Sequence, residues 1–211
     1  MAVKIRNVTK KDNVINKIIE REWEMFVNVN NIGGGKASCQ NDKDTFYIMR
    51  YSQHNNFGEE MLNSYMNDLC EAKVQKRNLL AEKYAFMMEY TDKNYFDTHL
   101  KNQLPEMTVD KLDLVAKIAK EMIDFRKAIE NKYPNFEKRG RTIEESNGGN
   151  TSSFLYLIGE TKTYSLETLR LMHKDINIAK SQNVNLVLEI YKTTVSFYGN
   201  KTLEEVEATL K

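Results

Sequence analysis

The feature that most limits what this chain can fold into is a segment that occurs twice in its sequence. Residues 60–84 align with residues 167–191 at a constant offset of 107 positions. A window of this length gives only about one or two identities by chance, so the match indicates an internal duplication. The identical pairs include Glu60/Glu167, Leu62/Leu169, Asp68/Asp175, Ala72/Ala179, Lys73/Lys180, Asn78/Asn185, Leu79/Leu186, Glu82/Glu189 and Tyr84/Tyr191.

Each copy has the pattern of a helical hairpin. Apolar residues recur every three to four positions on both sides of a short polar break, which is the period of an amphipathic helix. The break ends at Asn78 in the first copy and at Asn185 in the second, and asparagine is a preferred N-terminal cap. A break this short places the two helices antiparallel.

Helical patterns also flank the hairpins, and together they define the predicted fold. The sequence predicts helices over Lys11–Asn28, Asp42–Gln53 and Thr108–Lys132, a helix capped by residues 151–153, and a last helix with a capping box at Thr202 and Glu205. We predict an all-α fold, a single helical domain over residues 1–211 built from an internal duplication of helix plus helical hairpin units. The first pseudo-repeat covers residues 10–104 and the second covers residues 108–211.

Composition excludes several classes of protein. The 211-residue chain has a net charge of +1, which argues against a general nucleic-acid or membrane-surface binder. No window approaches the apolar length of a membrane span. Because there are only two cysteines and no secretory leader follows Met1, we expect a cytoplasmic protein with no nucleic-acid or membrane partner.

Two carboxylates fall on apolar helical faces, where an unpaired charge is costly. Glu22 lies on the stripe that contains Ile18 and Phe26, and Glu121 holds the corresponding place before Phe125. Each is either paired inside the protein or exposed in a cleft. In a cleft, either would be available for acid–base catalysis.

A glycine-rich connection, residues 28–42, resembles a phosphate-binding loop only in part. Asn30 stands in place of the first glycine and Ala37 in place of the hydroxyl residue after Lys36. This excludes a Walker-type loop and leaves a looser anion site open. Cys39 precedes the next helix, whose dipole favours a thiolate. As a nucleophile Cys39 would need a base from elsewhere in the fold; the alternative is a small packing residue.

A second polar connection, residues 134–150, carries three cations and ends in Asn147, Gly148 and Gly149. If the halves pack about a pseudo-twofold axis, both connections face one cavity, and arginine binds phosphate or carboxylate groups there bidentately. Ordinary solvated loop charges are the alternative. The candidate catalytic residues are Glu22, Glu121 and Cys39. The candidate ligand-binding residues are Lys36, Gln40, Arg50, Gln53, Arg139, Arg141, Ser153, Tyr156 and Glu160.

No metal site is expected, and the sequence identifies no cofactor. The chain has no Glu-x-x-His and no Cys-x-x-Cys motif, and His54, His99 and His173 lack the spacing of metal ligands.

Five segments of the chain carry a family resemblance: EREWEMF, VNNIGGGKASCQND, TFYIMRYSQ, SYMNDLCEAKVQKRNLLAEKYAFMMEYT and GETKTYSLETL. They resemble an uncharacterised bacterial family catalogued as a domain of unknown function (domain-of-unknown-function family 4125), and the likeness covers nearly the whole chain. Trp23 and residues 37–40 are its most specific parts, whereas Lys36 stands where the family has arginine. The resemblance implies no established activity. It implies a nucleotide-linked role with a nucleotidyltransferase-like partner.

These observations lead to two expected functions. The first is binding of a small anionic ligand, phosphorylated or nucleotide-like, in a polar cleft between the two pseudo-repeats; whether the protein is also an enzyme stays open. The alternative is a non-catalytic accessory or protein-interaction module. A ligand site predicts a concave pocket lined by both halves, whereas an interaction module predicts an exposed apolar patch.

Overall fold

The structure is a computed structural model that describes residues 9–30, 34–144, 151–199 and 201–210. These residues form α-helices and no strand, which confirms the all-α class. The helices are α1 (Lys10–Phe26), α2 (Lys43–His54), α3 (Glu59–Val74), α4 (Leu79–Thr91), α5 (Lys93–Tyr95), α6 (Val109–Glu130), α7 (Pro134–Glu137), α8 (Ser153–Thr161), α9 (Leu166–Ser181), α10 (Leu186–Ser196) and α11 (Leu203–Thr209).

Most helix starts lie where the capping residues predict them. Asn78 accepts from the amide of Ala81 to cap α4, and Asn185 accepts from Leu188 to cap α10. Thr202 and Glu205 form the expected capping box at α11. Among the described helices, none is long and apolar enough to cross a membrane.

Two parts of the chain differ from the predictions. Helix α1 ends at Phe26, two residues before the predicted Asn28. The segment after α4 contains α5, a π-helical turn at Phe96–Leu100 and a 3₁₀ turn at Lys101–Gln103. The polar connection after α6 begins with α7, because Pro134 at the first helical position fixes the backbone for a helix. The predicted Asn147, Gly148 and Gly149 lie outside the described residues.

The two hairpins turn in the same way. Lys76 and Asn183, at matching positions, have φ angles of 57° and 54°. The next amide in each turn, of Arg77 or Val184, donates back to the alanine carbonyl five residues earlier at 2.8 Å. This is the hydrogen bond of a helix that ends in a left-handed residue.

Contacts between the first half (residues 9–104) and the second half (residues 108–210) are reciprocal. The Asp68 carboxylate of α3 accepts from the backbone amide of Ser165 at 2.9 Å, and the Asp175 carboxylate of α9 accepts from that of Gly58 at 2.7 Å. Helix α4 packs on α8, and α10 packs on α2. Both halves therefore contribute to one core, as in an isologous dimer interface. The duplication and the two pseudo-repeats stay predictions.

The first helices of the halves match at a different offset from the hairpins. Asn78 donates to the carbonyl of Met25 and Asn185 donates to that of Phe125, which aligns α1 with α6 at an offset of 100 positions. The buried positions of α1 then coincide with buried positions of α6. At this offset Glu22 corresponds to Met122, so the proposed correspondence between Glu22 and Glu121 is wrong.

Candidate functional site

Glu22 lies in the core, where its carboxylate is enclosed by hydrogen-bond donors. The side chain of Glu22 is fully buried. Arg50 of α2 donates to it from Nε at 2.8 Å and from Nη2 at 2.5 Å, and the hydroxyl of Tyr65 of α3 donates at 2.8 Å. The Nε2 atom of His54 lies 3.3 Å from both carboxylate oxygens. This bidentate pairing satisfies a carboxylate that would otherwise be too costly to bury.

Arg50 extends the cluster across the two halves. Its Nη1 donates to Gln53 Oε1 at 2.5 Å and lies 2.9 Å from Oε1 of Glu160 on α8. Glu160 also accepts from Lys83 Nζ at 2.6 Å and from the hydroxyl of Tyr164 at 2.9 Å. We call Glu22, Arg50, Gln53, His54, Tyr65, Lys83, Glu160 and Tyr164 the central cluster.

The charges of the central cluster stabilise one another. Burial opposes ionisation of Glu22, but the Arg50 guanidinium and His54 together outweigh it and lower the pKa of this carboxyl to about 2. In the same way, Arg50 and Lys83 hold the pKa of Glu160 well below its usual range against the effect of burial. Burial, together with the neighbouring carboxylates, raises the pKa values of the Tyr65 and Tyr164 phenols. Both carboxyls are therefore ionised and both phenols protonated at neutral pH.

The second half has no such cluster at the matching positions. Glu22 corresponds to Met122 at the offset of α1, and Tyr65 corresponds to Met172 at the hairpin offset of 107; the same offset, extended to α2 and α8, pairs Arg50 with Leu157 and His54 with Thr161. The same helical framework is thus filled once by a charged network and once by mostly apolar side chains. A variant that carries Glu22→Met, Arg50→Leu, His54→Thr and Tyr65→Met copies the second solution into the first half; we call it the four-residue exchange.

The central cluster predicts a specific loss of stability in acid. The folded-state pKa of Glu22, about 2, lies below 4.5, its ordinary value in an unfolded chain. Its contribution, about 3 kcal/mol, is therefore complete above pH 4.5 and is lost as the pH falls toward 2. Glu160 acts in the same direction. Urea unfolding followed by fluorescence of Trp23, the one tryptophan of the chain, should show this loss.

The four-residue exchange is the control for this experiment. It lacks Glu22, so between pH 6 and pH 3 it should lose less free energy of unfolding than the original protein. Equal losses in the two proteins would show that other carboxylates cause the acid sensitivity.

From Lys83 the polar contacts continue to the surface. Lys83 Nζ lies 4.9 Å from the centroid of the Tyr156 ring, and the Arg141 guanidinium lies 4.1 Å from the same centroid. Arg141 also donates to the Tyr156 hydroxyl at 3.1 Å and to the carbonyl of Thr151 at 3.2 Å. These contacts fix an exposed guanidinium in one place.

Arg141 borders a hollow of about 350 Å³ on the surface of the second half. Arg126 forms one wall, held by Glu137 at 2.6 and 2.9 Å, by Ser153 at 2.5 Å and by the Arg141 carbonyl at 2.7 Å. Lys138 lies on the rim. We call this the basic hollow; it is lined by Arg126, Glu130, Asn131, Pro134, Glu137, Lys138, Gly140, Arg141, Thr142 and Ile143.

Comparison with known proteins gives a family. A family model described as "Protein of unknown function (DUF4125)" matches residues 12–208. The chain belongs to this family. No curated protein and no solved structure is significantly similar to it.

The structure joins six of the predicted site residues into one continuous set of contacts. Glu22, Arg50, Gln53 and Glu160 belong to the central cluster, and Lys83 connects this cluster to Tyr156 and Arg141. Ser153 supports the wall of the basic hollow, because its hydroxyl accepts a hydrogen bond from Arg126.

The other predicted residues lie elsewhere or have another role. Glu121 is not in the central cluster; its carboxylate lies 3.1 Å from Lys180 and 3.4 Å from His173, both on α9. Gln40 is buried and bonds the carbonyls of Phe26 and Val29, so it fixes the chain after α1. Lys36, Cys39 and Arg139 are exposed. The described residues hold no group of three metal-ligating side chains.

Sequence reasoning missed His54, Tyr65, Lys83, Tyr164 and Arg126 as members of these clusters. Tyr65 lies on the apolar face of α3, and its position is buried. A lysine or arginine on a buried helical face, as at Lys83 and Arg126, is the signal that could have identified two of them, because such a charge needs a partner.

Proposed function

We propose that the protein binds a small anionic metabolite, phosphorylated or nucleotide-like, in the basic hollow. The proposal rests on the state of Arg141. Its described contacts are a phenol ring, a hydroxyl and a carbonyl. None of the described carboxylates pairs with it, so its positive charge is held in place yet not neutralised. Lys138 adds a second cation at the same rim.

The lining of the basic hollow holds three cations, Arg126, Lys138 and Arg141, and two carboxylates, Glu130 and Glu137. The Arg126 guanidinium neutralises Glu137. The backbone of Thr142 and Ile143 is fixed to the start of α8, because their carbonyls accept from Ser153 at 2.9 Å and Phe154 at 3.0 Å. A volume of about 350 Å³ is within the range of small-ligand sites. A nucleotide-like ligand would also agree with the nucleotidyltransferase-like partner that the resemblance implies.

The proposed site has a different location from the one that the sequence predicts. It lies in the second half and not in a cleft between the halves. Arg141, at its edge, is the last residue in the series of contacts that begins at Arg50. Arg50 itself is already bound by two carboxylates, so it anchors the structure and leaves ligand binding to Arg141. The ionised Glu22 has no proton to donate as a general acid, and its burial denies it the access to a substrate that a general base needs.

No described surface favours the alternative of an interaction module. Two pairs of exposed large apolar side chains are neighbours, Val109 with Leu112 and Phe197 with Tyr198, and the others, Met49, Val74, Tyr90 and Ile178, lie on four different helices. Single exposed apolar side chains are normal on a protein surface.

Calorimetric titration with inorganic phosphate, glycerol 3-phosphate and adenosine monophosphate tests the proposal. Arg141→Ala should weaken binding of the tightest of these by about tenfold or more, because a hydrogen-bonded charge contact is worth about 1.5–3 kcal/mol. Lys117→Ala is the matched control, since it removes an exposed cation of α6 outside the basic hollow. Equal affinity in Arg141→Ala, or no binding of any of the three anions, would refute the proposal.

A further inference from the structure

A second hollow, of about 370 Å³, lies between the two halves. The start of α1 and the turn between α2 and α3 form one side, and α9 with the turn before α10 forms the other. We call it the interhalf hollow; its lining includes Lys11, Asn56, Phe57, Asp175, Gln182 and Val184.

The interhalf hollow contains one positive and one negative charge that are not bonded to each other. Lys11 Nζ donates to the carbonyl of Asn55 at 2.6 Å, and the Asp175 carboxylate accepts from the amide of Gly58 at 2.7 Å. Burial lowers the pKa of Lys11 and raises that of Asp175. Each group is therefore partly desolvated without a full counter-charge, and each keeps further hydrogen-bonding capacity.

The pseudo-equivalent place in the molecule holds the same two residue types and an additional arginine. Lys111 and Asp68 correspond to Lys11 and Asp175 at the offsets of α1 and of the hairpins. There Arg77 acts electrostatically on both Lys111 and Asp68 and is bound by Glu82 at 2.7 and 2.6 Å. Four charges are thus balanced on that side.

The residue that corresponds to Arg77 is Val184, which lines the interhalf hollow. The two turns have the same backbone geometry, with the 2.8 Å bonds from Arg77 to Ala72 and from Val184 to Ala179. Arginine would therefore point the same way at position 184. Valine is too short to replace the guanidinium, so the cations that act on Asp175 are Lys174 and Lys11, with no guanidinium among them.

We propose that the interhalf hollow binds a small zwitterion that carries a guanidinium or primary ammonium group and a carboxylate. The cationic group lies beside Asp175, where Arg77 lies beside Asp68 on the other side. The carboxylate faces Lys11, and the apolar wall of Phe57 and Val184 packs against the carbon chain between them. This site is separate from the basic hollow. It binds a cationic group beside Asp175, whereas the basic hollow binds an anionic group beside Arg141.

Calorimetric titration with free L-arginine tests this proposal, with agmatine as the probe that lacks the carboxylate. Val184→Arg, which copies the residue of the first half, should weaken L-arginine binding at least tenfold and leave the melting temperature nearly unchanged. Asp175→Asn should weaken binding by a similar factor. Asp68→Asn is the matched control, because it alters the equivalent contact to Ser165 and should leave the affinity for L-arginine as it was.

Three results would overturn the proposal. They are no binding of L-arginine to the original protein, unchanged affinity in Val184→Arg, or an equal loss in Asp68→Asn and Asp175→Asn. If agmatine binds as tightly as L-arginine, the carboxylate of the ligand adds nothing to the affinity, and the proposed contact with Lys11 is wrong. Anion binding at the basic hollow is measured separately with phosphate, so either site can fail without the other.

Discussion

Replacing Glu22 by methionine alone is expected to lower the free energy of unfolding by about 3–5 kcal/mol. The substitution removes the carboxylate that binds Arg50 through two nitrogens and that accepts from Tyr65. Arg50 keeps Glu160 as a counter-charge, and its Nη2 lies 3.1 Å from Nε2 of His54, but its Nε and the Tyr65 hydroxyl are left without acceptors in the core. Each buried donor that has no acceptor lowers the stability of the protein by its full desolvation free energy. Urea unfolding followed by far-ultraviolet circular dichroism would measure the change.

The four-residue exchange should recover most of this loss and lie within about 2 kcal/mol of the original protein. A buried ion pair replaced as a whole by packed apolar residues is often neutral or stabilising, and the second half already carries this solution at Met122, Leu157, Thr161 and Met172. Glu160 keeps Lys83 and Tyr164 as partners after the exchange. An exchange as unstable as Glu22→Met would show that the two halves do not share one packing framework.

Gly159→Val is expected to destabilise the protein by about 3 kcal/mol. Helices α4 and α8 approach so closely at this glycine that a Cβ would lie 2.6 Å from Met87 Cγ and 2.7 Å from the backbone oxygen of Lys83. A methionine side chain can move away, but a helix backbone cannot. The two helices would have to separate, which would also stretch the bond between Lys83 and Glu160. Thermal and urea unfolding would both report the effect.

Gly140→Ala is the matched control for the close approach at Gly159. A Cβ at residue 140 would meet its nearest atoms at 3.4 Å, which is ordinary contact, so its stability should change by only about 0.5 kcal/mol. Gly159→Ala should lie between the two, because alanine regains about 1 kcal/mol of helix propensity. A fully stable Gly159→Val protein would show that α4 and α8 are not in tight contact.

Part of the candidate site was also accessible from the sequence. A glutamate on the apolar stripe of α1 and an arginine beside the apolar face of α2 both require partners once the helices pack, and Glu22 with Arg50 satisfies both. The cations of the connection after α6 predicted an anion site, and Arg141 does border a hollow. The error lay in matching Glu22 with Glu121, because sequence comparison could not fix the offset between α1 and α6.

The sequence by itself determined the local structure of this protein. Helical periodicity, asparagine and threonine caps and the repeated hairpin turn depend on residues within a few positions of one another, so the order of helices α1 to α4, α6 and α8 to α11 could be derived from them. Only the tertiary structure decided which charges meet. Lys83 and Glu160 are far apart in the chain, and their contact depends on how closely α4 and α8 approach at Gly159. Likewise, the hollow beside Val184 is lined by residues of both halves, because a cavity is the space left by all elements together.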